Sequence, residues 1–150
     1  MFSKEHKFKI VIEAKSATEM RMRTGADYHE VSMDEVHIDI VDTGNWRMNF
    51  LLAAHGFIEY ILVKASGIPI KDIEEFDKNF ELDRASGIHG IHSEPGDQPD
   101  CPYASCHSVA TGVERLMAVL LRVNWADFAS VVDNKVLPRI TKHQQAPKRR

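Results

Sequence analysis

His55 and Glu59 stand inside a stretch, Phe50 to Val63 (FLLAAHGFIEYILV), in which every other residue except Gly56 is apolar. The stretch is too long for a strand and reads as a helix, on which residues four apart share a face. An imidazole and a carboxylate are thereby aimed together at the interior. A buried carboxylate without a partner is costly, so Glu59 must be neutralised, paired or bound to a cation. One helical turn is also the spacing at which helices offer ligands to a transition metal.

Polar groups intrude in the same way farther along the chain. Asp77 follows Ile73 by four residues and precedes Phe80 by three, so it borders an apolar stripe, with Glu81 one turn on. Glu114 lies on the core-facing line Ala110, Glu114, Met117, Leu121, and His107 sits two turns before it. Two histidines and three carboxylates on adjoining helices point to one internal site. His55, Glu59 and His107 are the candidate metal ligands; Glu114 and Asp77 are the candidate catalytic residues, with Glu114 an alternative third ligand. The plainer alternative is a set of satisfied core groups: Glu59 paired with His55, Arg47 or Arg115, and Asp77 solvated. A competing cluster in one loop, His89, His92, Cys101, Cys106 and His107, has residue types that suit structural zinc, but its CxxxxC spacing matches no common zinc pattern.

The elements that must position these groups follow from periodicity. Residues 7–14 and 35–41 alternate with β-branched residues, the mark of strands with one covered face, and Thr24 to Asp27 reads as a turn between them. A small N-terminal antiparallel sheet is expected. Asn45 suits the N-cap of a helix from Trp46 that ends near Gly67. Pro69 opens a second helix over about 70–83. Residues 86–102 form a Gly- and Pro-rich loop, and a third helix follows over about 104–122 with Val109, Val113, Leu116, Met117, Leu120 and Leu121 as its core stripe. Asn124 could cap a short fourth helix carrying Trp125 and Phe128. Strands followed by three to four packed helices mean an α+β fold.

At 150 residues, with 43% hydrophobic and 27% charged side chains, the chain has the makings of one globular domain. The N-terminus has no apolar signal core and no apolar run reaches bilayer length, so a cytoplasmic protein is expected. Cys101 and Cys106 are too close for a disulfide to gain much, and a reducing compartment keeps them free. The formal charge of −3 conceals five basic groups in residues 138–150, which leaves −8 on the body over residues 1–137. That tail reads as disordered. An acidic body argues against a dedicated nucleic-acid protein, leaving only the tail for such contacts.

Leu52-Ala-Ala-His-Gly-Phe-Ile-Glu-Tyr-Ile-Leu, Ser66-Gly-Ile, Glu75-Phe-Asp, Glu94-Pro-Gly-Asp-Gln-Pro, Pro102-Tyr, His107 and Val113-Glu-Arg-Leu together resemble a group of small, uncharacterised phage and prophage proteins. The likeness spans roughly residues 35–130 and rests on the order of weak motifs. Those proteins carry a His-Glu-Leu-x-Glu helix, itself similar to the His-Glu-x-x-His helix of zinc metallopeptidases, where the second-position glutamate is the general base. The resemblance implies metal ligation by His55 and Glu59 in a bacterial host cell, with zinc the expected ion and Mn or Fe alternatives. Gly56 departs from the pattern, since it cannot accept a proton. The expected function is therefore a metal-dependent hydrolase, with its base elsewhere, or a catalytically decayed relative. The alternatives are a non-enzymatic phage protein that binds a host protein or a peptide or small-molecule ligand, and a magnesium-dependent nucleotide pyrophosphatase using Glu74, Glu75 and Asp77.

Overall fold

A computed structural model of the chain describes residues 7–144, with side chains described as far as residue 136. Three strands come first: β1 (Lys9–Lys15), β2 (Ala26–Ser32) and β3 (Glu35–Val41). The helices are α1 (Trp46–Ala65), α2 (Ile70–Ala85), α3 (Ala104–Leu120) and α4 (Trp125–Gln144), with a 3₁₀ turn at Pro95–Asp97. The fold is α+β, as expected.

The sheet is mixed rather than antiparallel, in the order β1-β3-β2. β1 runs parallel to β3, with Ile10 beside Val36 and Ile12 beside Ile38, and β2 pairs antiparallel with β3. The strand absent from the sequence reading, β2, begins inside the expected turn. Its sequence, ADYHEVS, hides the alternation because Asp27 is buried, held by two bonds from Arg21 at 3.0 and 3.1 Å. The connection from β1 to β2 closes over the end of β3, where Val41 and Asp42 donate to the carbonyls of Gly25 and Lys15.

Helix boundaries follow from capping chemistry. The Asn45 side chain accepts from the amides of Arg47 and Met48. At the other end Gly67, at φ +70°, lets its own amide and that of Ile68 bond back to Lys64 and Val63, closing α1 with a left-handed residue. Asn124 caps α4 through the Asp127 amide at 3.0 Å. α4 is longer than expected and takes in residues 138–144 of the tail; residues 145–150 lie outside the described range.

α1 is the central helix. It lies on the helix face of β2 and β3, close enough that a Cβ on Gly56 would meet Ile38 Cγ2 at 2.9 Å. By length and mean hydropathy it is also long and apolar enough to cross a membrane; here Leu51, Glu59, Tyr60 and Val63 bury it against the rest of the domain. α3 packs beside it in the opposite direction, bringing Glu114 to His55, His107 to Glu59 and Cys106 to Ser66. The buried face of α3 is Cys106, Ala110, Glu114 and Ala118. Of the stripe expected in the core, Met117 and Leu121 pack against it and Val113 is half-buried, but Val109, Leu116 and Leu120 are exposed. Small side chains let two helices approach closely, so the branched residues are turned outward. α2 and α4 stand across from the α1–α3 pair, and a pocket of about 370 Å³ remains between them.

Candidate metal centre

The fold brings His55 and Glu59 from α1 together with His107 from α3. Glu59 Oε2 lies 3.1 Å from His55 Nε2 and 2.9 Å from His107 Nδ1, and the two rings stack edge to face with centroids 4.9 Å apart. The three ligand atoms fall within 4.8 Å of one another, so the group could hold a metal ion. Ligation at ~2.0–2.2 Å from each atom asks each imidazole nitrogen to move only a few tenths of an ångström farther from Glu59 Oε2.

Each of the three side chains faces another side chain at its other polar atom, through a hydrogen bond at Glu59 and at ion-pair distance at the two histidines. Tyr28 Oη donates to Glu59 Oε1 at 2.9 Å. His55 Nδ1, buried, faces Glu114 Oε2 at 3.7 Å. His107 Nε2 lies 3.4 Å from Asp97 Oδ1 and 3.6 Å from Glu94 Oε2. Carboxylates on the far nitrogens of two imidazoles, and a donor on the far oxygen of the carboxylate, are the outer contacts that orient metal ligands and fix histidine tautomers. His107 is further clamped by Gly96, whose missing side chain leaves room for the ring; a Cβ there would overlap its Cγ, Nδ1 and Cδ2.

Electrostatics follow from this packing. Burial alone would lower the His55 pKa, but the carboxylates of Glu114 and Glu59 overcome it and raise it to about 10. His107 is raised in the same way, burial opposing and Glu59 prevailing. For Glu59 burial opposes ionisation, yet bonds from His107 and His55 bring its pKa down to about 2. Without a metal the triad is thus a buried, ionised Glu59 carboxylate beside the His55 imidazolium, with the protonated form of His107 favoured as well.

Asp77 lines the same pocket but does not join the triad. Tyr103 Oη donates to its Oδ1 at 2.6 Å. Burial raises its pKa to about 7, the Tyr103 bond offsetting part of that and the charges of Glu59, Asp27 and Glu81 adding to it. Glu81 turns to Arg84 and Arg23 at 3.3 and 3.6 Å. Of the acids considered for magnesium, Glu74 pairs with Arg21 at 2.7 Å and Glu75 is exposed, so these two do not converge with Asp77. Arg47 and Arg115, considered as partners of Glu59, stack instead over Trp46 and Trp125.

The competing loop cluster does not assemble among the described residues. His89 stacks on Phe80 at 4.3 Å, His92 faces Asp133 at 3.6 Å, and Cys101 and Cys106 are buried and free. Only His107 joins a candidate metal group, in company with Glu59 and His55 or with Glu94 and Asp97.

Several supporting residues escaped the sequence reading. Tyr28 sits on the unrecognised strand, where a period-two pattern starting at Ala26 would have turned it inward. Arg84 is buried and donates to the carbonyls of Ile91 and Ser93 at 3.2 and 2.6 Å. It thereby ties down the loop that carries Glu94, Gly96 and Asp97 to His107. Its position four residues after Phe80, on the apolar face of α2, was the available signal.

Comparison of the chain with family models, with curated proteins and with solved structures finds no match in any of the three.

Proposed function

We propose that this chain is a metal-dependent hydrolase whose divalent ion, zinc in the first instance, is bound by His55, Glu59 and His107 at the wall of the 370 Å³ pocket. The observation that carries the reading is the doubly anchored triad: all three ligand side chains have their second polar atom facing another side chain. Metal-ligating imidazoles and carboxylates characteristically carry such outer contacts. Two imidazoles and one carboxylate leave an open position for water, whose pKa the ion would lower towards neutrality. The same donor set accommodates Mn or Fe.

The general base is assigned to Asp77, with Glu114 orienting His55. A carboxyl that titrates near 7 is matched to accepting and returning a proton at neutral pH. Position 56 does not supply the base: a side chain there would be directed at Ile38 and Ala26 of the sheet. That same packing favours a second reading, a non-enzymatic protein that keeps the centre for ligand or host-protein binding.

Elemental analysis of untagged protein tests the proposal. About one equivalent of transition metal is expected in the parent and in His89→Ala, and little in His55→Ala. Hydrolysis of casein or model phosphoesters that survives in the metal-loaded parent and falls in Asp77→Asn separates catalysis from binding alone. Absence of metal in the parent, after reconstitution with zinc, would sink both readings.

A further inference from the structure

The molecule has a large apolar face that the metal centre does not use. On α1 the pocket flank is Leu52, His55 and Glu59; the opposite flank carries Phe50, Ala54, Phe57 and Ile61, spaced four, three and four apart. On α3 the pocket flank is His107, Thr111 and Glu114; the opposite flank carries Val109, Val113, Leu116 and Leu120 at the same spacing. Because the helices lie side by side, the flanks turned from the pocket fall on one side of the pair.

β1 extends that side. It is the sheet edge away from β2, and only β2 and its incoming connection reach the pocket. Its parallel register puts Ile10 and Ile12 level with buried Val36 and Ile38, hence on the helix face of the sheet, with Phe8 in line. α1 covers β3 and β2 and leaves these residues bare. Phe8, Ile10, Ile12, Phe50, Ile61, Val109, Leu116 and Leu120 are each between 41% and 74% exposed.

Eight side chains of roughly 100–200 Å² each, about half exposed, make a face on the order of 600 Å². That is the upper end of the largest patch on an ordinary monomer, ~300–600 Å², and approaches the ~800 Å² that each partner contributes to a stable interface. None of its positions bears a charge, so it has no sign with which to select a charged partner. A two-fold dimer is the arrangement in which one uncharged apolar patch serves both copies.

We propose that this face is the interface of a homodimer, with α1, α3 and β1 of one copy set against the same elements of the other and the two pockets facing outward. Sedimentation velocity on the full chain at micromolar concentration, with and without zinc, tests it. The expected species has twice the 17.0 kDa chain mass in both conditions. Leu116→Glu and, separately, Phe50→Glu should sediment as monomers with unchanged far-ultraviolet dichroism, while Leu82→Glu, on the exposed surface of α2, stays dimeric. A monomeric parent, whether or not it captures some other protein, overturns the proposal; so does a folded Leu116→Glu, Phe50→Glu double variant that remains dimeric. Failure of zinc to bind would leave this outcome untouched, because the interface lies on the opposite flanks of the helices that carry the ligands.

Discussion

Metal binding to the His55–Glu59–His107 triad should be strongly coupled to protons. In the metal-free protein Glu114 and Glu59 hold the His55 imidazole protonated at neutral pH, and Glu59 favours the protonated form of His107. A divalent ion can take their place only after those protons leave. With His55 at about 10, its deprotonation at pH 7 spans three pH units, on the order of 4 kcal/mol or a ~10³-fold loss of apparent affinity. His107 adds to this in the same direction. Apparent zinc affinity should therefore rise by one to two powers of ten per pH unit above 6.5. Competition with a chromophoric chelator at several pH values measures the slope, and calorimetry in buffers of differing ionisation enthalpy counts the protons released. Affinity constant over two pH units, or binding without proton release, would refute the assignment of these residues as ligands. Stability must follow the same logic. Glu59, depressed from 4.5 to about 2, contributes stability that is present above pH 4.5 and lost as pH falls towards 2. His55, raised from 6.5 to about 10, contributes stability that is present below 6.5 and lost as pH rises towards 10. From these two groups the metal-free protein is most stable between about pH 4.5 and 6.5, and zinc should extend that range to the alkaline side.

Asp77→Asn should stabilise the metal-free protein above neutrality by about 1–3 kcal/mol, because the raised Asp77 pKa means stability is lost as pH climbs from 3.8 to about 7; urea titrations at pH 5 and 8 check it, and the gain must be clearly smaller at the lower pH. Tyr28→Phe removes the donor to Glu59 Oε1 and should weaken zinc binding by ~10–100-fold while leaving the fold intact, as measured by chelator competition. Gly96→Ala drives a methyl group into the His107 ring, so zinc affinity should drop at least ~10-fold, whereas Gly90→Ala in the same loop, which meets only Ser93 Oγ at 3.5 Å, should bind as the parent does.

How much of this was legible in the sequence depended on whether a residue's role was local. Asn45, Gly67 and Asn124 act on backbone groups a few positions away, so the bounds of α1 and the start of α4 could be read directly. The metal triad was legible for a related reason: two ligands are one turn apart, and the third was a histidine near the start of the next apolar helix but one. β2 was not, because the burial of Asp27 depends on Arg21 and a tertiary setting that no local alternation reveals. α3 is the more instructive failure. Its sequence carries two stripes: small residues at Cys106, Ala110 and Ala118, and branched ones at Val109, Val113, Leu116 and Leu120. Hydrophobicity ranks the second stripe as core. Yet a pair of histidines and two carboxylates can converge between α1 and α3 only if the helices approach closely, and close approach selects the small stripe. The convergence of these four side chains thus goes together with the small face of α3 turning inward. The branched stripe is thereby left on the surface, where Val109, Leu116 and Leu120 are exposed and form part of the proposed dimer face.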